Sequence, residues 1–342
     1  MHMKKTLRFV SLILVTVMLF SLTACAGRNE KYAVEIDGKQ IPIGVYLYYQ
    51  FNAYQEAYSL RADTNTDVLK QKIEDQDATV WIHQKTIEYC RKKIATENEF
   101  ERLGMTLSDS DLAYIDSMVT YILAYYSDIF AKNGIGEQSV RTACTTDQMT
   151  SALFYKYYSA DGLEPVSDTE LMNYYKDNYS VAYMFGTSLS GLSEEEVKTA
   201  RDAANTAVES LKAGKGIAET AQAMTKAIDP SAELDSTVTD DSYRSIIGKN
   251  DTNYPEAIRN QIFTAAADVP TIYDQDNYLL VFVRKDTASQ TEVYESLKNT
   301  ILQAIKGDEF SDRLKEMANA LTVNENTAAV NYYSPKKIKN FD

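Results

Sequence analysis

Few side chains in this sequence are suited to bond-breaking chemistry. Of 342 residues only two are histidines, His2 and His83, and three are cysteines, Cys25, Cys90 and Cys144. That is too little imidazole and thiolate for a His- or Cys-built metal site, and it puts most histidine-dependent catalysis out of reach. His83 falls in a helical apolar stripe with Val80, Ile87, Cys90 and Ile94. No serine or cysteine nucleophile can be identified as its partner, so it reads as a structural or surface histidine. Asp63-Thr64-Asn65-Thr66-Asp67 with Glu74 matches several positions of a calcium-binding loop. Val68 stands where such a loop needs glycine and Lys70 where it is usually apolar, so the segment reads as a solvated loop. No G-x-x-x-x-G-K-[ST] phosphate loop occurs. No metal and no cofactor is expected. The compositional excess is 25 tyrosines. Tyr46, Tyr48, Tyr49, Tyr54 and Tyr58 crowd one helical stretch, and Tyr121, Tyr125 and Tyr126 another. Two readings are open: rings that pack a helical core and tip their hydroxyls to water, or aromatic faces along a groove that accepts many unfolded sequences.

Charge and the N-terminus set where such a protein works. With 35 Lys+Arg against 49 Asp+Glu the formal charge is −14, which repels phosphate backbones, so nucleic acid is not an expected partner. Lys4, Lys5 and Arg8 precede a nearly unbroken apolar run from Phe9 to Leu22, too short for an ordinary spanning helix and flanked like a signal peptide. The run closes in Leu22-Thr23-Ala24-Cys25, which resembles the lipobox of bacterial lipoproteins. That resemblance implies cleavage after residue 24 and lipidation of Cys25, giving an extracytoplasmic, membrane-anchored bacterial lipoprotein. Removing residues 1–24 takes away three bases and no acids, so the charge moves from −14 to −17. Cys90 and Cys144 are then left to pair once or to remain two separate buried thiols.

The remaining elements follow from periodicity and punctuation. Tyr32 to Ile36 alternates as a strand, Asp37-Gly38 supplies a hairpin turn, and Gln40-Ile41-Pro42 returns. Helices are predicted along Leu47 to Tyr58, from about 78 to 103, from Ser108 to Asn133, and from about 137 to 158. The third has a stripe of Leu112, Ile115, Val119, Ile122, Tyr126 and Ile129. Ser167 and Glu170 begin a short helix through Tyr175, and Ser193 and Glu196 begin a longer one that Gly214 stops. Between 180 and 286 the order is strand, three helices, and a closing hairpin of Val269 to Tyr273 with Tyr278 to Val283, a compact α+β module. After Asp286 the chain is helical again, with apolar positions at Val293, Leu297, Ile301 and Ile305, then Leu314, Met317 and Leu321. These are expected to pack on the N-terminal helices.

Four passages resemble the SurA/PrsA family of extracytoplasmic foldases. Val34-Glu35-Ile36-Asp37-Gly38-Lys39-Gln40-Ile41 is similar to the family's opening hairpin. Val166-Ser167-Asp168-Thr169-Glu170-Leu171 with Tyr174-Tyr175 is similar to the helix leading into its prolyl isomerase module. Leu211 to Ala221, with Gly214 in it, is similar to a helix junction of that module, and Asn277 to Val283 takes the place of its last strand. The resemblance implies an α+β fold: a helical SurA/PrsA-like chaperone domain built from N- and C-terminal segments, with an inserted parvulin-like domain. Its boundaries would be a signal peptide at 1–24, a lipidated tether at 25–31, chaperone segments at 32–179 and 287–342, and the parvulin-like domain at 180–286.

The departures from the family pattern concern the catalytic positions. Active parvulins carry a histidine on the first strand and another on the last; here Tyr183 and Leu279 stand approximately at those places. The family's Gly-Gly element is replaced by Ser231 to Ser236. Tyr183, Phe185, Phe263 and Leu279 therefore form a candidate degenerate pocket, with Phe185 and Phe263 offering apolar surface for a proline ring. Prolyl isomerisation makes no covalent bond, so a shaped apolar pocket retains something against a barrier of roughly 18–20 kcal/mol. The expected function is an ATP-free foldase or holdase for unfolded exported polypeptides, with weak or no isomerase activity. An active peptidyl-prolyl isomerase is the alternative, and a solute-binding lipoprotein of a transporter a further one, against which the long helical first half speaks.

Overall fold

The computed structural model describes residues 30–275 and 277–339. The expected signal peptide and Cys25 lie outside the described residues. The chain divides into two compact units, residues 30–164 with 306–339, and residues 165–305.

The first unit is helical and is closed by its two ends. Strand β1 (Tyr32–Ile36) turns back into β2 (Lys39–Pro42) through Asp37 and Gly38, both at positive φ, the backbone that an Asp-Gly hairpin turn favours. On its other edge β1 pairs antiparallel with β9 (Val323–Glu325), from near the C-terminus, with Val34 opposite Glu325 and Ile36 opposite Val323. Asp37 fixes this junction: its amide donates to the Thr322 carbonyl (3.0 Å) and its carboxylate accepts from the Thr322 amide (2.8 Å). Helices α1 (Ile43–Leu60), α2 (Ala78–Arg102), α3 (Asp109–Asn133) and α4 (Glu137–Tyr158) follow. Ser108 and Asp111 form the capping box of α3, an interaction worth about 1 kcal/mol, and Gly134 ends it in the left-handed conformation. The segment holding Asp63 to Glu74, read as a solvated loop, runs into a short hairpin, β3 (Lys72–Ile73) with β4 (Gln76–Asp77), whose turn residues Glu74 and Asp75 have positive φ.

The core of this unit joins β1, β2 and α1 to α2, α3 and α4 through Val34, Ile36, Tyr46, Phe51, Cys90, Ile115, Phe130 and Val140. Cys90 and Cys144 are two free, buried thiols, and burial pushes the Cys90 thiol well above its ordinary pKa.

The second unit is a four-stranded antiparallel sheet in the order β6-β5-β8-β7, with helices on both faces. Its members are α5 (Asp168–Asn178), β5 (Tyr179–Ser188), α6 (Glu194–Lys212), α7 (Ile217–Ile228), β6 (Arg244–Gly248), α8 (Glu256–Thr264), β7 (Pro270–Gln275) and β8 (Tyr278–Arg284). β6 carries no strong strand pattern of its own. It exists because Ser180 to Tyr183 of β5 pair with it from Ile247 to Arg244. Alternation divides the side chains between the faces. Leu279 and Val281 meet Ala200, Ala204 and Met224 of α6 and α7, whereas Ala182 and Phe282 meet Ile258 and Ile262 of α8. At Gly186 the strands leave no room for a side chain, since a Cβ there would stand 2.1 Å from the Leu279 carbonyl oxygen.

Helix α9 (Thr291–Asn319) differs from expectation. The stripe beginning at Val293 was expected to pack on the N-terminal helices, but its start belongs to the sheet-bearing unit. Tyr294 packs on Tyr175 of α5 at 5.5 Å between ring centroids, and its hydroxyl donates to Asp168 Oδ1 (2.7 Å). Only the second half of α9 packs on α4, where Phe310 meets Phe154 at 5.5 Å and Arg313 makes a bidentate pair with Glu164 (2.7 and 2.6 Å). An apolar stripe states that a helix needs a partner without stating which one.

Candidate functional site

The four candidate pocket residues do not converge. Tyr183 lies opposite Val283 across the β5–β8 ladder, while Leu279 lies opposite Thr187. At about 3.3 Å per residue those positions are separated by roughly 13 Å along the sheet. Leu279 is buried on the α6–α7 face among alanines, and Phe185 points to that same face, edge-on to Tyr243 at 6.0 Å. Phe263 lies on the opposite face with α8. A proline ring cannot touch both phenylalanines, because the sheet lies between them. A cleft of about 440 Å³ beside β5 includes Phe185, Met224 and Tyr243, but not Tyr183, Leu279 or Phe263.

The Tyr183 hydroxyl is already engaged. It donates to Asp241 Oδ1 at 3.2 Å, and Lys285 Nζ stands 5.8 Å from its ring centre. Burial, then the Asp241 carboxylate, raises its pKa above the ordinary value, so it stays a neutral hydroxyl at working pH. Residues 165–305 contain no histidine in the sequence itself. Paired-imidazole chemistry is therefore unavailable to the sheet-bearing unit.

The tyrosine clusters separate into two kinds. On α1, Tyr46, Tyr48, Tyr49 and Tyr54 are buried and only Tyr58 is exposed. Burial pushes Tyr48 up to about 12 and raises Tyr46 and Tyr49 well above the ordinary value, as expected of neutral core rings. On α3 the rings face outward. Tyr114 is 56% exposed, Tyr121 59% and Tyr125 66%, with half-buried Met118 between the first two. Positions 114, 118, 121 and 125 advance by four, three and four residues, so they form one stripe along the helix. The opposite side of α3, through Ile115, Val119, Ile129 and Phe130, enters the core. Leu112 and Tyr126, expected in that core stripe, are exposed, although Tyr126 keeps contact with Phe51 and Phe130.

The surroundings make this stripe unusual. No charged residue occurs from 117 to 127, three full turns of an exposed helix. Asp116 and Asp128 bound the run, and Asp116 is taken up by Arg141 at 2.5 Å. Solvent-facing helical surface ordinarily carries charge, and an apolar face without it marks a contact site. Tyr121 and Tyr125 lie 4.9 Å apart with planes tilted by 54°, so a second apolar group can enter against either ring. Tyr114 and its place in the stripe escaped the sequence reading. The signal was present in the seven-residue step from 114 to 121.

The other singled-out residues have structural roles. His83 Nδ1 lies 3.3 Å from the Tyr46 hydroxyl and its Nε2 lies 3.2 Å from Glu325 Oε1, tying α1, α2 and β9 together. Val80, placed in the same stripe by spacing, is exposed. Asp63 spends its carboxylate on its own loop, accepting from the Asn65 amide (2.8 Å) and the Thr66 hydroxyl (2.5 Å). Glu74 accepts from the Trp81 indole at 2.9 Å. No group of three or more metal-ligating side chains occurs among the described residues, and none of the described helices is long and apolar enough to cross a membrane.

Fold and site together define a class: an α+β protein with a helical body made from N- and C-terminal segments, a sheet-bearing insert without histidine, and an exposed aromatic stripe on α3. Among solved structures the chain is similar to the foldase protein PrsA from Streptococcus pneumoniae, at 14% identity over 74% of this chain and 90% of that one, with a TM-score of 0.40. It is also similar to the foldase protein PrsA from Lactococcus lactis (12% identity, 91% and 100% covered, TM-score 0.36) and to PrsA from Bacillus subtilis (10%, 72% and 88%, 0.31). At these identities and TM-scores the likeness assigns neither activity nor partner. No protein-family model and no curated protein matches the chain.

Proposed function

We propose that this protein is an ATP-independent holdase or foldase for unfolded exported polypeptides, anchored outside the cytoplasm by a lipid on Cys25 and a short tether over residues 25–31. The observation that carries the reading is the charge-free aromatic stripe of α3. Tyr114, Met118, Tyr121 and Tyr125 offer adaptable apolar contact without a closed pocket, which suits segments of many sequences in no fixed register. Weak binding over such a surface shields a client and lets it go without nucleotide hydrolysis.

Prolyl isomerase activity is proposed to be weak or absent. The reasoning is that Tyr183 is committed to Asp241, Phe185 and Phe263 are on opposite faces of the sheet, and the unit has no imidazole. The deciding experiment runs an aggregation-suppression assay on an unfolded client beside a prolyl-peptide isomerisation assay, with the mature protein in both. Suppression near stoichiometric ratios with a negligible isomerisation rate is expected. A parvulin-like rate without suppression would reverse the assignment.

A further inference from the structure

A groove of about 740 Å³ runs along the outer side of α2 against the second half of α9 and β9, wholly within the helical unit. Its charge is opposite to that of the chain as a whole. Lys85, Arg91 and Lys92 line it from α2, and Lys315 from α9. Its acids are already occupied: Glu88 by Lys85 at 3.4 Å and Glu325 by His83 at 3.2 Å. Arg91, Lys92 and Lys315 have no carboxylate within ion-pair distance among the described residues, and Lys92 reaches Asp147 only as a through-space charge. The Nε of Arg91 is buried and has no acceptor. A buried guanidinium donor without a partner is costly, and a bidentate oxyanion is what its fork geometry accepts. In a protein of charge −14, three cations without a carboxylate partner, Arg91 among them, thus line one concavity.

We propose that this groove binds a carboxylate-bearing stretch of polypeptide, with Arg91 taking one carboxylate and Lys92 and Lys315 the next along the segment. This rests on the reading that the protein binds polypeptides, and adds an acidic class of segment to the apolar one. The shape favours a peptide over a compact anion. The cations stand on two elements, α2 and α9, and the same lining includes Ile87, Ala318 and Val323, which suit the apolar side chains of an extended chain. Successive same-side residues of such a chain are roughly 7 Å apart, which distributes carboxylates along the groove.

The test is fluorescence anisotropy of a short labelled oligoglutamate peptide with the mature protein at low and at physiological salt. Saturable binding that weakens with salt is expected, reduced about tenfold or more by Lys92→Gln with Lys315→Gln, two exposed positions whose change leaves the fold intact. Arg91→Gln, checked for folding by circular dichroism, should weaken binding similarly. Aggregation suppression of an apolar client should persist in these variants, because α3 is untouched. Oligoglutamate binding that is absent, or identical in the double variant, would overturn the inference, as would displacement of the peptide by phosphatidylglycerol vesicles at lower concentration than by free oligoglutamate. Absence of oligoglutamate binding by the wild-type protein with suppression retained removes this inference alone; absence of suppression in the wild-type protein removes the polypeptide-binding reading itself.

Discussion

Replacing Tyr121 and Tyr125 together by serine removes the most exposed rings of the α3 stripe, and its consequence can be worked from their exposure. A fully covered aromatic side chain buries roughly 150–250 Å². Rings 59% and 66% exposed therefore still offer on the order of 100–150 Å² each to a client. At about 25 cal/mol per Å² complete covering is worth about 2.5–4 kcal/mol per ring. A mobile client covers only part of each ring and spends free energy on ordering. A net loss of about 1.5–3 kcal/mol for the pair follows, or roughly a 10- to 100-fold weaker Kd. The same exposure makes the change nearly neutral for folding, within about 0.5 kcal/mol. The assay is binding of a fluorescent, permanently unfolded client by anisotropy, with thermal unfolding as the control. Unchanged affinity in a variant with wild-type Tm would refute the stripe as the client surface. A large drop in Tm would refute the claim that its rings face solvent.

Further expectations concern anchoring, chemistry, packing and pH. Cys25→Ser should move the protein from the membrane fraction to the soluble or secreted one, read by fractionation. Tyr183→Phe should leave client binding unchanged and alter any residual isomerisation little, since the hydroxyl already donates to Asp241. Phe310→Ala removes a buried ring that meets Phe154, Tyr157 and Tyr158, and should cost about 3–5 kcal/mol in denaturant unfolding, chiefly in the helical unit. Glu99, buried and held below the ordinary carboxylate range first by Arg102 and also by Tyr157, should contribute stability above the unfolded-state pKa of about 4.3. That contribution is lost as pH falls through the depressed folded-state value; Glu99→Gln should flatten this part of the unfolding profile below about pH 4.

What could be read from the sequence was local. The Asp37-Gly38 turn, the boxes at Ser108 and Ser193, and the stops at Gly134 and Gly214 are all formed by residues within a few positions of one another, and each appears in the structure. The arrangement of a helical body from both ends around an α+β insert was also legible, because the texture changes twice along the chain. Long-range pairing was not. β9 is three residues long and is held by β1 some 290 positions earlier, and β6 is a strand only because β5 lies beside it. The candidate pocket failed for a related reason. Matching residues to strands does not give the register, and register places Tyr183 and Leu279 apart and Phe185 and Phe263 back to back. The tyrosines were ambiguous because the same ring suits a core and a contact surface. Only the neighbours decide, as Tyr49 under α2 and Tyr125 in solvent illustrate.

The most direct test of the central claim is amide hydrogen exchange of the mature protein with and without an unfolded client. Backbone amides from about 113 to 127 on α3 should gain protection when the client is present, with β5, β8 and α8 unchanged. Protection confined to the sheet-bearing unit, with α3 unaffected, would contradict the account.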